Sequence, residues 1–275
     1  MNHSFRVLQL KARHQVHTLL SGNRLSKLYG EGYDFAELRE YQTGDDIRKI
    51  NWTITAKLGK PYIKELHANR ELSVVVAALM DGSLYFGQDN AKQRKLTETA
   101  ALLSYAAQYN GDLFTGIGYT PKELLLTPPT KQHFHVEHFL ERLYFTPLLG
   151  TALDEKEQVK DLFSRLHRPS LLFVLGDFLE EVDLSLLTQK HEVIVVIIRH
   201  REEEYPKKLG EITLNNPKNM TRRKTYFGRR SMVRYAAKRE EHDRKMAAHF
   251  ARHGIRSVKI FTDEAPIEKL QNLFR

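Results

Sequence analysis

Leu72-Ser73-Val74-Val75-Val76-Ala77-Ala78-Leu79-Met80, followed at once by Asp81-Gly82-Ser83, decides the fold of this chain. Nine residues without a charge are too few for a membrane span. They are the length of a strand covered on both faces, and two covered faces imply a parallel sheet between helices. Two more runs repeat the pattern, Ser170–Leu175 (SLLFVL) and Glu192–Ile198 (EVIVVII). Stretches with helical periodicity separate them: 92–110, 136–143, 153–166 and a short one at 182–189. Further strands are expected at 112–119, at 123–127 as an edge, and at 257–261. Helices are expected at 4–20, 231–253 and 265–274. Strands alternating with helices in this way predict an α/β fold with a doubly wound, mostly parallel sheet.

The rhythm starts only after residue 70, which divides the chain into two parts. Residues 1–70 read as a small N-terminal extension, a helix followed by irregular glycine- and tyrosine-rich chain with short strands. Residues 71–275 read as the α/β domain, interrupted by a polar insertion near 199–228 that lacks periodicity and forms either a hairpin or a loop.

Composition narrows the function. The 275 residues are 41% hydrophobic and 28% charged, ordinary for a globular protein. No stretch of 18 apolar residues occurs, and Lys11, Arg13 and His14 break any leader-like core, so a cytoplasmic location is expected. There are no cysteines, which removes disulfides, thiolate metal sites and cysteine catalysis. No phosphate-binding G-x-x-x-x-G-K-[ST] loop and no G-x-S-x-G elbow is present, so no enzyme is expected. His133, His135 and His138 form H-x-H-x-x-H without a companion ligand and read as surface histidines. The net charge is +9, with eleven Lys or Arg against three acidic residues between Lys218 and Lys245. Arg222, Arg223, Lys224, Arg229 and Arg230 make that run a candidate surface for nucleic acid or anionic membrane, the alternative function. The other reading of the run is a solvated helix face and loop.

The segment Leu38–Lys57, LREYQTGDDIRKINWTITAK, holds the only tryptophan. Read from its residues, Gly44 permits a tight turn, Asp45 or Asp46 caps the short helix that follows, Arg48 forks onto a carboxylate, and Trp52 buries a large ring. The segment resembles the bacterial domain of unknown function 58 family. Its pattern is met at Leu38, Arg39, Tyr41, Gly44, Asp45, Arg48, Ile50, Trp52, Thr55, Ala56 and Lys57, with Asn51 where many members carry Asp. The resemblance implies a partner, a MoxR-type AAA+ ATPase, and a role in assembly or maturation of other proteins.

In an open α/β sheet, ligands sit beyond the carboxyl ends of the strands. Asp81 and Ser83 follow one strand, Asp177 follows another, and Gly150-Thr151 opens a helix from a loop. This arrangement resembles the von Willebrand factor A domain, whose metal-ion-dependent adhesion site uses D-x-S-x-S, a distant Thr and a later Asp. Asp81 and Ser83 match its first positions, Tyr85 replaces the second Ser, and Thr151 and Asp177 stand for the remaining groups. The resemblance implies a Mg²⁺ ion held by Asp81, Ser83, Thr151 and Asp177, with an acidic side chain of the partner completing its coordination.

Overall fold

The structure is a computed structural model. It describes residues 3–21, 37–42, 45–47, 50, 52, 55–56, 59–65, 72–207 and 209–273. Helix α1 (His3–Ser21) leads into an antiparallel pair, β1 (Glu37–Glu40) and β2 (Tyr62–Glu65). The α/β part then runs β3 (Ser73–Leu79), α2 (Ala91–Tyr109), β4 (Leu113–Tyr119), β5 (Leu124–Thr130), α3 (His133–Phe145), α4 (Glu155–Arg165), β6 (Leu171–Gly176) and β7 (Glu192–Arg199). It continues through a one-turn helix α5 (Arg201–Glu204), a hairpin of β8 (Gly210–Asn215) and β9 (Arg222–Phe227), α6 (Arg229–Arg252), β10 (Arg256–Phe261) and α7 (Pro266–Leu273).

Six strands form one sheet in the order β10-β7-β6-β3-β4-β5. All neighbours are parallel except the edge pair β4–β5. The doubly wound, mostly parallel α/β fold expected from the alternation of apolar runs is therefore present. The chain leaves β3 toward β4 and β5 on one side and returns to β6 on the other, which makes the carboxyl ends of β3 and β6 the switch point of the sheet.

Strand periodicity sorts the core into two layers. Val74, Val76 and Ala78 face one layer with Leu96, Ala100, Leu103 and Phe139, and Val75, Ala77 and Leu79 face the other with Leu162, Leu184 and Phe250. Each fully buried Val, Leu or Phe contributes about 1.5–3 kcal/mol relative to exposure. The first layer also takes in Phe5, Ala12 and Val16 of α1, so the amphipathic N-terminal helix completes the main core. Gln93, buried in the first turn of α2, donates to the carbonyls of Leu143 and Thr146 (2.9 and 2.8 Å) and so satisfies the orphan C=O groups at the end of α3.

One expectation changes. The helix expected over 182–189 is reduced to a single 3₁₀ turn, Leu187–Gln189. Val182, Leu184 and Leu187 are all buried, and an irregular segment brings their side chains inward without helical periodicity. The polar insertion takes the hairpin alternative, preceded by the one-turn helix α5. Strands β8 and β9 form a separate two-stranded sheet, exposed along most of both strands. Among the described residues no helix is long and apolar enough to cross a membrane.

Candidate functional site

Asp81 and Asp177 end adjacent parallel strands, so they lie side by side at the switch point. Asp81 caps a 3₁₀ turn: its Oδ1 accepts from the Ser83 amide at 2.9 Å and the Ser83 hydroxyl at 2.5 Å. Asp177 Oδ1 accepts the Leu179 amide at 3.3 Å. Ser83 lies close enough to Asp177 to help hold its carboxyl charged. Thr151 reaches the crevice through its backbone: its carbonyl accepts the Gly82 amide at 2.8 Å, while its hydroxyl turns back to the Leu148 carbonyl at 2.5 Å. Asp81, Ser83 and Asp177 thus come together at the strand ends, and the Thr151 hydroxyl donates to its own loop.

Two lysines that sequence reasoning did not assign to the site occupy it. Lys92, 0% exposed on the first turn of α2, places Nζ 2.9 Å from Asp177 Oδ2, 2.8 Å from Glu203 Oε1 and 3.0 Å from the Ser83 carbonyl. Lys218 comes from the loop between β8 and β9, and its Nζ lies 2.9 Å from Asp81 Oδ2 and 2.7 Å from Glu180 Oε1. Burial alone would raise the Asp177 pKa; the Lys92 charge, the nearby Ser83 hydroxyl and the Lys92 hydrogen bond outweigh it and hold the carboxyl below its ordinary value. Burial would likewise lower the Lys218 pKa, but hydrogen bonds to Glu180 and Asp81 raise it. Glu155, at the first position of α4, goes the other way. Burial, then the neighbouring Asp177 charge, pushes its carboxyl up to about 8, and its Oε2 is buried without a hydrogen-bond partner.

This donor set does not fit Mg²⁺. Both oxygens of Asp81 and both of Asp177 are engaged, and the cationic places beside them hold ammonium groups. Among the described residues no group of three or more His, Asp or Glu is arranged to hold a metal ion. The acidic side chain expected as ligand depended on that ion, and without it Asp81 and Glu180 would repel a carboxylate. Spacing could not reveal Lys92 and Lys218, because 85 and 137 residues separate them from Asp177 and Asp81.

The described residues of the N-terminal signature bond locally and to the chain that enters β2. The Tyr41 amide donates to the Pro61 carbonyl at 2.8 Å, Gln42 and Asp45 exchange two hydrogen bonds, and the Thr55 hydroxyl accepts from the Tyr62 amide at 3.1 Å. Arg39 lies on β1, paired with Ile63. Trp52 is 65% exposed, against the expectation of a buried ring. Gly44 and Arg48 lie outside the described residues. Arg222, Arg223, Lys224, Arg229 and Arg230 are all exposed, on β9 and the start of α6, as are His133, His135 and His138.

Fold and site define an α/β protein with a buried acidic cluster, paired with two lysines, at its switch point. The chain belongs to the family described as Protein of unknown function DUF58, whose pattern matches residues 37–247. Uncharacterized proteins of Mycobacterium tuberculosis and Mycobacterium bovis are 24% identical over 221 residues, covering 78% of this chain and 69% of theirs. The solved structure of the conserved hypothetical protein BatB from Bacteroides thetaiotaomicron overlaps 74% of this chain and 96% of its own, at a TM-score of 0.43 and 10% identity. An aerotolerance-related membrane protein from Bacteroides fragilis gives the same coverage at a TM-score of 0.40.

Proposed function

We propose that this protein is a non-enzymatic interaction module of the von Willebrand factor A type, which docks to a MoxR-type AAA+ ATPase in the cytoplasm and serves assembly or maturation of other proteins. One observation supports the reading above the rest. Asp81, Ser83 and Asp177, from the ends of two adjacent strands, meet at the switch point, where a partner's side chain could enter. The ATPase supplies the energy, and the crevice supplies the grip.

The test is capture from native cytoplasm with wild-type protein and Asp81→Ala, with melting curves to confirm that both are folded. An AAA+ ATPase retained by the wild type and lost by the variant supports the reading. The same ATPase on both moves the contact away from the crevice, with the exposed Trp52 segment the next surface to vary. No ATPase on either sinks the partnership.

A second reading rests on the exposed basic residues of β9 and α6. Binding of nucleic acid or anionic vesicles through them would weaken steeply with added salt, because counterions are released on binding. Absence of binding at low salt removes it.

A further inference from the structure

The loop between β8 and β9 is shaped to close the crevice. Its own backbone is organised locally: Asn216 Oδ1 accepts the Lys218 amide at 2.9 Å, Asn219 Oδ1 accepts the Thr221 amide and hydroxyl at 3.1 and 2.7 Å, and the Asn216 amide reaches the Thr221 carbonyl at 2.8 Å. The strands behind it are mostly exposed, and the loop makes specific contacts at its tip. Pro217 offers its carbonyl to the Gly150 amide at 2.7 Å, and Lys218 enters between Asp81 and Glu180. Gly82 lets the tip approach: a Cβ there would stand 2.1 Å from the Pro217 oxygen. The tip therefore matches the strand ends in shape, Pro217 against Gly82, and in charge, Lys218 against Asp81.

We propose that this tip is a built-in plug, with Lys218 as an internal ligand, and that the group admitted when the tip lifts is another primary ammonium, a lysine side chain of a partner protein. The site selects a cation because its open side carries Asp81 and Glu180, with Glu155 close enough to feel their charge. It selects an ammonium because two acceptors, Asp81 Oδ2 and Glu180 Oε1, stand at hydrogen-bond distance from one nitrogen. Lys92 belongs to the floor: it is fully buried, bonded to Asp177 and Glu203, and stays when the plug leaves. The proposal deepens the interaction reading by naming the side chain that the crevice takes.

Two measurements on the isolated full chain test it without any partner, so failure of the ATPase capture leaves it standing and its own failure leaves the partnership open. The first is hydrogen exchange of the Gly150 amide in wild type, Lys218→Ala and Lys218→Met, the last keeping most of the apolar stem. Exchange should quicken roughly ten-fold or more in both variants, the size expected when a charge-assisted contact is lost, while amides of β3 stay protected. The second is the melting temperature of Lys218→Ala with n-propylammonium chloride or with MgCl₂ at equal ionic strength. The amine should stabilise the variant and leave the wild type unchanged. Unchanged Gly150 exchange in both variants overturns the plug. A greater rise with Mg²⁺, or none with the amine, overturns the ammonium site.

Discussion

Lys92 Nζ and Asp177 Oδ2 stand 2.9 Å apart beneath the crevice, joining the first turn of α2 to the end of β6. Lys92 sits at the amino end of a helix, where the dipole disfavours a cation, and it is fully buried. Only its two carboxylates and the Ser83 carbonyl make that placement tolerable. Removing it leaves Asp177 and Glu203 charged and unpaired in the interior. Lys92→Met should destabilise the protein by about 3–5 kcal/mol, measured by urea unfolding. A loss below about 1 kcal/mol would mean that water reaches these carboxylates and that the floor of the crevice is open.

Gly82 faces the Pro217 carbonyl, and a methyl group there has no room. Gly82→Ala should displace the hairpin tip and cost about 1–3 kcal/mol, the usual range for overpacking. Thermal unfolding gives the cost, and loss of protection at the Gly150 amide locates it at the tip.

Glu155 supplies a pH dependence. Its pKa rises from 4.5 to about 8 in the folded chain, so between those values the folded state binds more protons than the unfolded state. Stability from this group is therefore complete below about pH 4.5 and declines as pH rises through 8. Glu155→Gln, which keeps the shape and removes the charge, should raise the melting temperature relative to wild type at pH 9 and change it little at pH 5. Equal effects at both values would show that the carboxyl titrates normally.

Trp52 separates the two uses of the signature segment. With its ring 65% exposed, Trp52→Ala should change stability by no more than about 0.5 kcal/mol in chemical denaturation. If capture of a partner weakens at unchanged stability, the exposed ring is part of a docking surface.

Much of the fold was legible because strand and helix periods are local properties. The apolar runs at β3, β6 and β7 are buried on both faces, and their length and flanking helical stretches suffice to imply a parallel sheet. The helix expected over 182–189 was misread because Val182, Leu184 and Leu187 are buried without regular backbone, which periodicity cannot distinguish from a helix turn. Trp52 was misread because an aromatic ring says how much area it could bury, not whether a neighbour covers it.

The crevice divides along the same line. The order of residues alone placed Asp81 and Asp177 at strand ends, since a charge after an apolar run marks where a strand leaves the core, and parallel pairing then brings such ends together. Which cations would meet them depended on the path of the chain. Lys92 begins a helix that returns beneath the sheet, and Lys218 rides a hairpin that folds back over Gly82; contacts between residues so far apart in sequence exist only once packing sets the direction of each element. The same charge counted among the basic residues of the 218–245 run is, after folding, the one that neutralises Asp81.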